Sequence, residues 1–131
     1  MLESSDLIAF AATRDLDRAR AFYRDVLGLE LLEQTPIACM LSAHGTTLRV
    51  TLVDDFAPPP YTVLGWVVPD IHASVRGLAA RGVTVERFEG MSQDDDGVWT
   101  APSGDRVAWF KDPDGNTLSL TELAPTAPST D

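Results

Sequence analysis

The chain has 131 residues, 44% of them hydrophobic and 23% charged, with a formal net charge of −10 and a single cysteine, Cys39. A chain this long buries roughly 70% of its unfolded surface, so it needs neither a disulfide nor a structural metal to fold. The acidic balance argues against nucleic acid or an anionic membrane as partner, no apolar run approaches a membrane span, the first residues lack the pattern of a signal peptide, and the cytoplasm is the expected compartment.

Residues 7–13 are apolar and small and read as a buried strand. Asp15 is placed to cap a helix whose apolar stripe is Leu16, Ala19, Phe22, Tyr23, Val26 and Leu27, with Gly28 as its left-handed stop. Strands are expected over 29–33, 37–41 and 46–53, with His44-Gly45 as the turn before the last. Residues 54–60 hold Ala57-Pro58-Pro59-Pro60, a stiff stretch without ladder donors that suits a linker. Residues 61–68 read as the next strand. Asp70 caps a second helix with Ile71, Ser74, Val75, Leu78 and Ala79 on one face and Gly82 at its end. Strands over 83–88, 98–101, 106–111 and 117–123 follow, and Asp112-Pro113-Asp114-Gly115-Asn116 is a turn.

The order of elements occurs twice. His44-Gly45-Thr46-Thr47-Leu48-Arg49-Val50 is echoed by Asp114-Gly115-Asn116-Thr117-Leu118-Ser119-Leu120. The expected fold class is α+β, with two βαβββ modules forming a cupped mixed sheet. The halves span residues 6–55 and 61–123, and residues 124–131 form a Pro, Ser and Thr tail expected to be disordered.

Ala21-Phe22-Tyr23-Arg24-Asp25-Val26-Leu27-Gly28-Leu29 and Asp112-Pro113-Asp114-Gly115-Asn116-Thr117-Leu118-Ser119-Leu120 resemble the two signatures of the vicinal oxygen chelate superfamily. This is the group of glyoxalase I, bleomycin resistance proteins and extradiol dioxygenases. The resemblance runs over about residues 6–123. It implies two modules that form one cup and, in the enzymes, a divalent metal held there by His, Gln and Glu side chains. The implied ligand places lie on the first and last strand of each half. Here they read Ile8, Arg49, Val63 (Leu64 after a one-residue slip) and Ser119. None is a carboxylate, imidazole or thiolate, and Arg49 brings a charge that repels a cation. One step along the last strands gives Leu48 or Val50, and Leu118 or Leu120, which are no better. The expected site therefore has no metal and no cofactor. His44 and His72 read as surface residues, and Glu122 falls on the face opposite Ser119. Asp94-Asp95-Asp96 reads as a solvated loop that repels itself, not as a calcium site.

Strand alternation sends Ile8, Phe10 and Ala12, then Thr47, Arg49 and Thr51, then Val63, Gly65 and Val67, and finally Thr117, Ser119 and Thr121 toward the implied cup. That is an apolar wall with hydroxyls and one cation, the composition of a small-molecule pocket. Arg49 wants a carboxylate or phosphate, supplied either by a ligand or by an internal Asp or Glu. Trp66 is expected to face the second helix, Trp99 to line the mouth of the cup or plug the core, and Trp109 to take either face. Met40 and Met91 offer soft surface or core packing, and Cys39 reads as a small buried hydrophobe. The candidate ligand-binding residues are Arg49, Ser119, Thr51, Thr121, Phe10, Ile8, Val63, Trp99 and Trp109.

The function so implied is metal-independent binding of a small organic molecule in the cup between the modules, as in the bleomycin-resistance branch, and a homodimer is expected from the resemblance. The alternative is a metal-dependent lyase, isomerase or dioxygenase of the glyoxalase I type, which needs a metal to polarise a carbonyl or enediolate and a carboxylate base. A third reading is an interaction module with a vestigial cup.

Overall fold

The acid before each helix caps it. Asp15 accepts the Arg18 N–H at 3.1 Å and Asp70 that of Ala73 at 3.2 Å. In the computed structural model, which describes residues 1–125, these caps open helix α1 (Leu16–Arg20) and helix α2 (Ile71–Ala80). The strands are β1 (Ile8–Thr13), β2 (Glu30–Gln34), β3 (Ala38–Ala43), β4 (Thr46–Leu52), β5 (Thr62–Val67), β6 (Trp99–Thr100), β7 (Arg106–Lys111) and β8 (Thr117–Glu122). They form two four-stranded sheets, ordered β1-β4-β3-β2 and β5-β8-β7-β6. The βαβββ layout expected from the repeat is present twice.

By contact the chain divides into two compact units. One holds Met1–Val63 with Asp112–Thr117, the other Leu64–Lys111 with Leu118 onward. In the first unit β1 runs parallel to β4, whereas β3 pairs antiparallel with β4 and with β2. The β3–β4 hairpin turns at His44 and Gly45, with φ of 50° and 88°. Two successive positive φ values make a type I′ turn, whose twist matches the flanking strands. Cys39, Leu41, Leu48 and Val50 are buried on one face of this sheet, and α1 packs on β3 and β4. The expected single helix instead widens after Arg20 into a π-helical stretch (Ala21–Val26), in which Leu27 N–H reaches the Phe22 carbonyl at 3.0 Å. Phe22 and Tyr23, adjacent in sequence, are both buried there.

The Asp-Pro-Asp-Gly-Asn turn is a clamp within the first unit. Asp112 Oδ1 accepts the N–H groups of Asp114 and Asn116, each at 2.9 Å. Its Oδ2 accepts the Tyr23 hydroxyl at 2.7 Å and Asn116 Nδ2 at 2.8 Å. Asp114 takes the Thr13 hydroxyl at 2.6 Å, the Arg14 N–H at 2.9 Å and the Arg18 guanidinium at 2.9 Å. Asn116 also donates to the Ala12 carbonyl at 3.1 Å. The two sequence signatures therefore bond to each other, with buried polar groups satisfied mutually. Burial, reinforced by the charge of Asp112 and the bond to it, holds the Tyr23 phenol far above the ordinary tyrosine range.

In the second unit Ile71, Val75 and Leu78 of α2 are buried, as are Ala108, Phe110, Leu118 and Leu120 of the sheet. Trp66 stacks on Phe110 with centroids 6.5 Å apart, on the core side as alternation expects. One expected strand does not form. Residues 83–88 have no regular secondary structure, and only Glu86 N–H reaches a strand, at the Trp109 carbonyl (2.7 Å). The Gln93 side chain takes the place of a neighbouring strand, accepting from Phe88 N–H at 2.8 Å and donating to the Glu86 carbonyl at 2.9 Å. The strand expected over 98–101 shortens to the two residues of β6. Of the tail expected over 124–131, residues 126–131 lie outside the described residues. Among the described residues no helix is long and apolar enough to cross a membrane.

Candidate functional site

The open face of the first sheet follows from its register. Parallel pairing sets Phe10 beside Arg49, antiparallel pairing sets Arg49 beside Met40, and Glu33 lies beyond Met40 on β2. Paired residues share a face. The next row toward the β1 start is Ile8, Thr47, Ser42 and Glu30, and the row at the other end is Ala12, Thr51 and Ala38. Phe10 is 60% exposed and Ile8 41%, unusually open for large apolar side chains. Beside them a groove of about 280 Å³ is walled by Phe10, Ala11, Ala12, Thr51, Phe56, Pro59, Val63 and Asn116. The expected residues Phe10, Thr51 and Val63 thus meet at one hollow, with Ile8 and Arg49 on the same sheet face. Phe56 and Pro59 were not among the expected residues. Their only signal was an aromatic inside the proline-rich linker.

Arg49 is half-buried, and its guanidinium lies 3.7 Å from the Met40 sulfur. The internal carboxylate partner that the sequence left open is not found among the described residues. By contrast Arg18, Arg20, Arg24, Arg76 and Arg106 each pair with an Asp or Glu. Thioether sulfur is a weak acceptor, so the guanidinium fork keeps most of its donors uncommitted.

The places where the resemblance implies metal ligands do not suit a divalent ion. Ile8 and Val63 have no donor atom and Arg49 is a cation. The Ser119 hydroxyl is the only donor atom of the set, and Ser119 is just 9% exposed. Among the described residues no group of three or more His, Cys, Asp and Glu side chains converges. Zinc sites need three or four such ligands and harder ions need several oxygens.

The remaining candidates belong to the second unit. A Cβ on Gly65 would lie 2.6 Å from the Ser119 hydroxyl, so this glycine makes room for that side chain. Thr121 is half-buried and its carbonyl accepts from Val68 N–H at 2.9 Å. Trp99 and Trp109 lie 6.1 Å apart, and Phe88 meets Trp109 edge-on at 5.5 Å. Trp109 therefore takes the face opposite its buried neighbours Ala108 and Phe110.

The acidic loop does not repel itself as expected. Asp94 bonds His72 at 2.8 Å, Asp96 bonds Arg76 at 3.2 Å, and Arg87 donates to the Asp94 and Asp95 carbonyls at 2.7 and 2.6 Å. His72 and Arg76 stand one turn apart on α2, so they meet the run together. Partial burial raises the Asp94 pKa, but the bonds from His72 and from the Val98 and Asp96 N–H groups outweigh it and hold the carboxyl below its ordinary range. His72, expected at the surface, is half-buried in this contact, whereas His44 is exposed as read. Cys39 is fully buried, and burial pushes its thiol upward.

A βαβββ duplication with an open, partly apolar sheet face places this chain in a recognisable class of ligand-binding and catalytic folds. The model of the Glyoxalase/Bleomycin resistance protein/Dioxygenase superfamily matches residues 6–120, and the chain belongs to that superfamily. No curated protein matches. Among solved structures, TnmS3, an antibiotic binding protein from Streptomyces sp. CB03234, is 26% identical with a TM-score of 0.70, over 95% of this chain and 99% of that one. A superfamily member from Sphaerobacter thermophilus is 24% identical with a TM-score of 0.72, over 93% and 99%. A lactoylglutathione lyase from Agrobacterium tumefaciens is 22% identical with a TM-score of 0.70, over 91% and 93%. The last two likenesses speak for the fold alone.

Proposed function

We propose that this protein binds a small organic molecule without a resident metal, on the open face of the first sheet and in the groove beside it. The observation that carries the reading is the side-chain chemistry of that face. Where the superfamily's enzymes keep metal donors, this chain has Ile8, Val63, the cation Arg49 and the buried Ser119, a single hydroxyl. Around them stand the exposed ring of Phe10, the rings of Phe56 and Pro59, and the hydroxyl of Thr51. Mostly apolar walls with few oriented polar groups suit an organic ligand. The antibiotic-binding role of TnmS3 supports the same direction. On the second unit, Trp99, Trp109, Thr121 and Ser119 are proposed as ligand-binding residues of that unit. A homodimer is proposed from the resemblance and a cytoplasmic location from the lone cysteine, and light scattering of the purified protein checks the dimer.

The test is a thermal-shift screen of an organic compound library in the presence of EDTA, with elemental analysis of the same preparation. Binding raises the melting temperature as ligand concentration exceeds Kd. Hits in EDTA with no stoichiometric metal are the expected result. A stoichiometric transition metal, or glyoxalase or ring-cleavage turnover appearing with added nickel, zinc or iron(II), would overturn it.

A further inference from the structure

We infer that Arg49 makes this site selective for a small monocarboxylate whose flat apolar body lies over Phe10. This rests on the metal-free binding reading above and adds the chemical class of the ligand.

The first support is the uncommitted guanidinium. Arg49 meets a thioether at 3.7 Å and, among the described residues, forms no ion pair. Its planar fork is preorganised for a carboxylate, to which it can make two parallel bonds. Partial burial strengthens such a bond over one made in open water.

The second support is the charge pattern along the row Phe10, Arg49, Met40, Glu33. Glu33 lies two strands from Arg49, about 9.6 Å at the ordinary strand spacing. The two side chains form no ion pair in the observed arrangement, and the carboxylate stands close enough to repel an anion extending toward β2. On the other side of Arg49 stand Phe10 and the groove with Phe56, Pro59 and Val63. An anion held at Arg49 therefore directs its body toward β1, where exposed aromatic surface awaits it. A ring over Phe10 gains offset stacking as well as apolar burial.

The third support is stoichiometry. One guanidinium balances one negative charge. Glu30 and Glu33 border the face, and the whole chain carries −10, so a dianion such as a phosphate monoester is poorly matched.

The test uses the full chain, 15N-labelled, in EDTA. The probes are 1-naphthoate, its neutral amide 1-naphthamide, the cation 1-naphthylmethylamine, and 1-naphthyl phosphate. Amide shifts of residues 8–12 and 47–51 report the site. We expect 1-naphthoate to bind about tenfold more tightly than 1-naphthamide, the scale of one charge-assisted hydrogen bond. The phosphate and the amine should be weaker than the carboxylate. R49Q should erase the acid-over-amide preference while leaving weak binding of the amide, R49K should restore part of it, and E33Q should not weaken 1-naphthoate. The spectrum of R49Q checks that it folds. If the amide, amine or phosphate equals or exceeds the carboxylate, or if R49Q keeps the preference, the inference fails while metal-free binding stands. If no probe moves these amides in EDTA, the inference fails, and the thermal-shift screen with metal analysis decides metal-free binding separately.

Discussion

Removing one hydroxyl tests the clamp that joins the two sequence signatures. In Tyr23→Phe the aromatic ring and its packing stay and the 2.7 Å bond to Asp112 goes. Tyr23 is fully buried and Asp112 is 6% exposed, so water cannot replace the lost partner without rearrangement. A hydrogen bond to a charged group contributes about 1.5–3 kcal/mol. Asp112 keeps its contacts from Asp114, Asn116 N–H and Asn116 Nδ2, so the expected loss is about 2 kcal/mol. For a domain of this size that corresponds to a fall of roughly 6–10 °C in Tm. Asp112→Asn should cost more, about 3–5 kcal/mol, although it is nearly isosteric. Every contact at the Asp112 carboxylate comes from a donor. Whichever way an Asn side chain is turned, its NH₂ group faces N–H or O–H groups instead of accepting from them. Urea unfolding followed by circular dichroism, with matched m values, measures both losses. A Tyr23→Phe protein within about 0.5 kcal/mol of wild type, or an Asp112→Asn protein more stable than Tyr23→Phe, would refute the reasoning.

The same phenol sets an alkaline limit. Its folded pKa lies above the ordinary value of 10.0, so its contribution is complete below that pH and is lost as pH rises beyond it. Wild-type stability should therefore fall above about pH 10, by up to ~1.4 kcal/mol per pH unit from this group, and Tyr23→Phe should remove that component in melts over pH 9–11. Gly65→Ala should destabilise by about 1–2 kcal/mol, because the new methyl meets the Ser119 hydroxyl at 2.6 Å. Adding Ser119→Ala should recover most of the loss, and a double-mutant cycle showing simple additivity would contradict that contact. Asp94 titrates below its ordinary value of 3.8, so its tie to His72 contributes above that pH and fades as pH falls through the lowered value. The stability gap between wild type and Asp94→Ala should accordingly be wider at pH 6 than at pH 3 in thermal melts.

Local patterns were enough to read most of the elements. Asp15 and Asp70 each stand where a cap must, and Gly28 and Gly45 occupy positive-φ positions that few other residues tolerate. Period-two alternation put Phe10, Arg49 and Thr51 on the open face of the first sheet and Trp66 on the core side of the second, because a strand offers only two sides. Residues 83–88 were misread for the complementary reason. Their strand-like composition says nothing about whether a neighbour is there to bond, and the Gln93 side chain takes that place. The acidic run was misread in the same way, since its counter-charges, His72 and Arg76, sit about twenty residues upstream.

What the amino-acid order determined by itself is therefore what neighbours along the chain control: caps, turns, alternation, the repeat and its family resemblance, and the absence of donor side chains at Ile8 and Val63. What only the tertiary structure decided is what distant segments do to one another. Asp112 and Asp114 look like turn residues until Tyr23, Thr13 and Arg18 are seen bonding them. Arg49 could have met an internal carboxylate, and its placement between Phe10 and Met40 came from strand register. The physical reason is that hydrogen bonding and charge pairing are satisfied in space, and a sequence records a side chain's needs without recording which partner meets them.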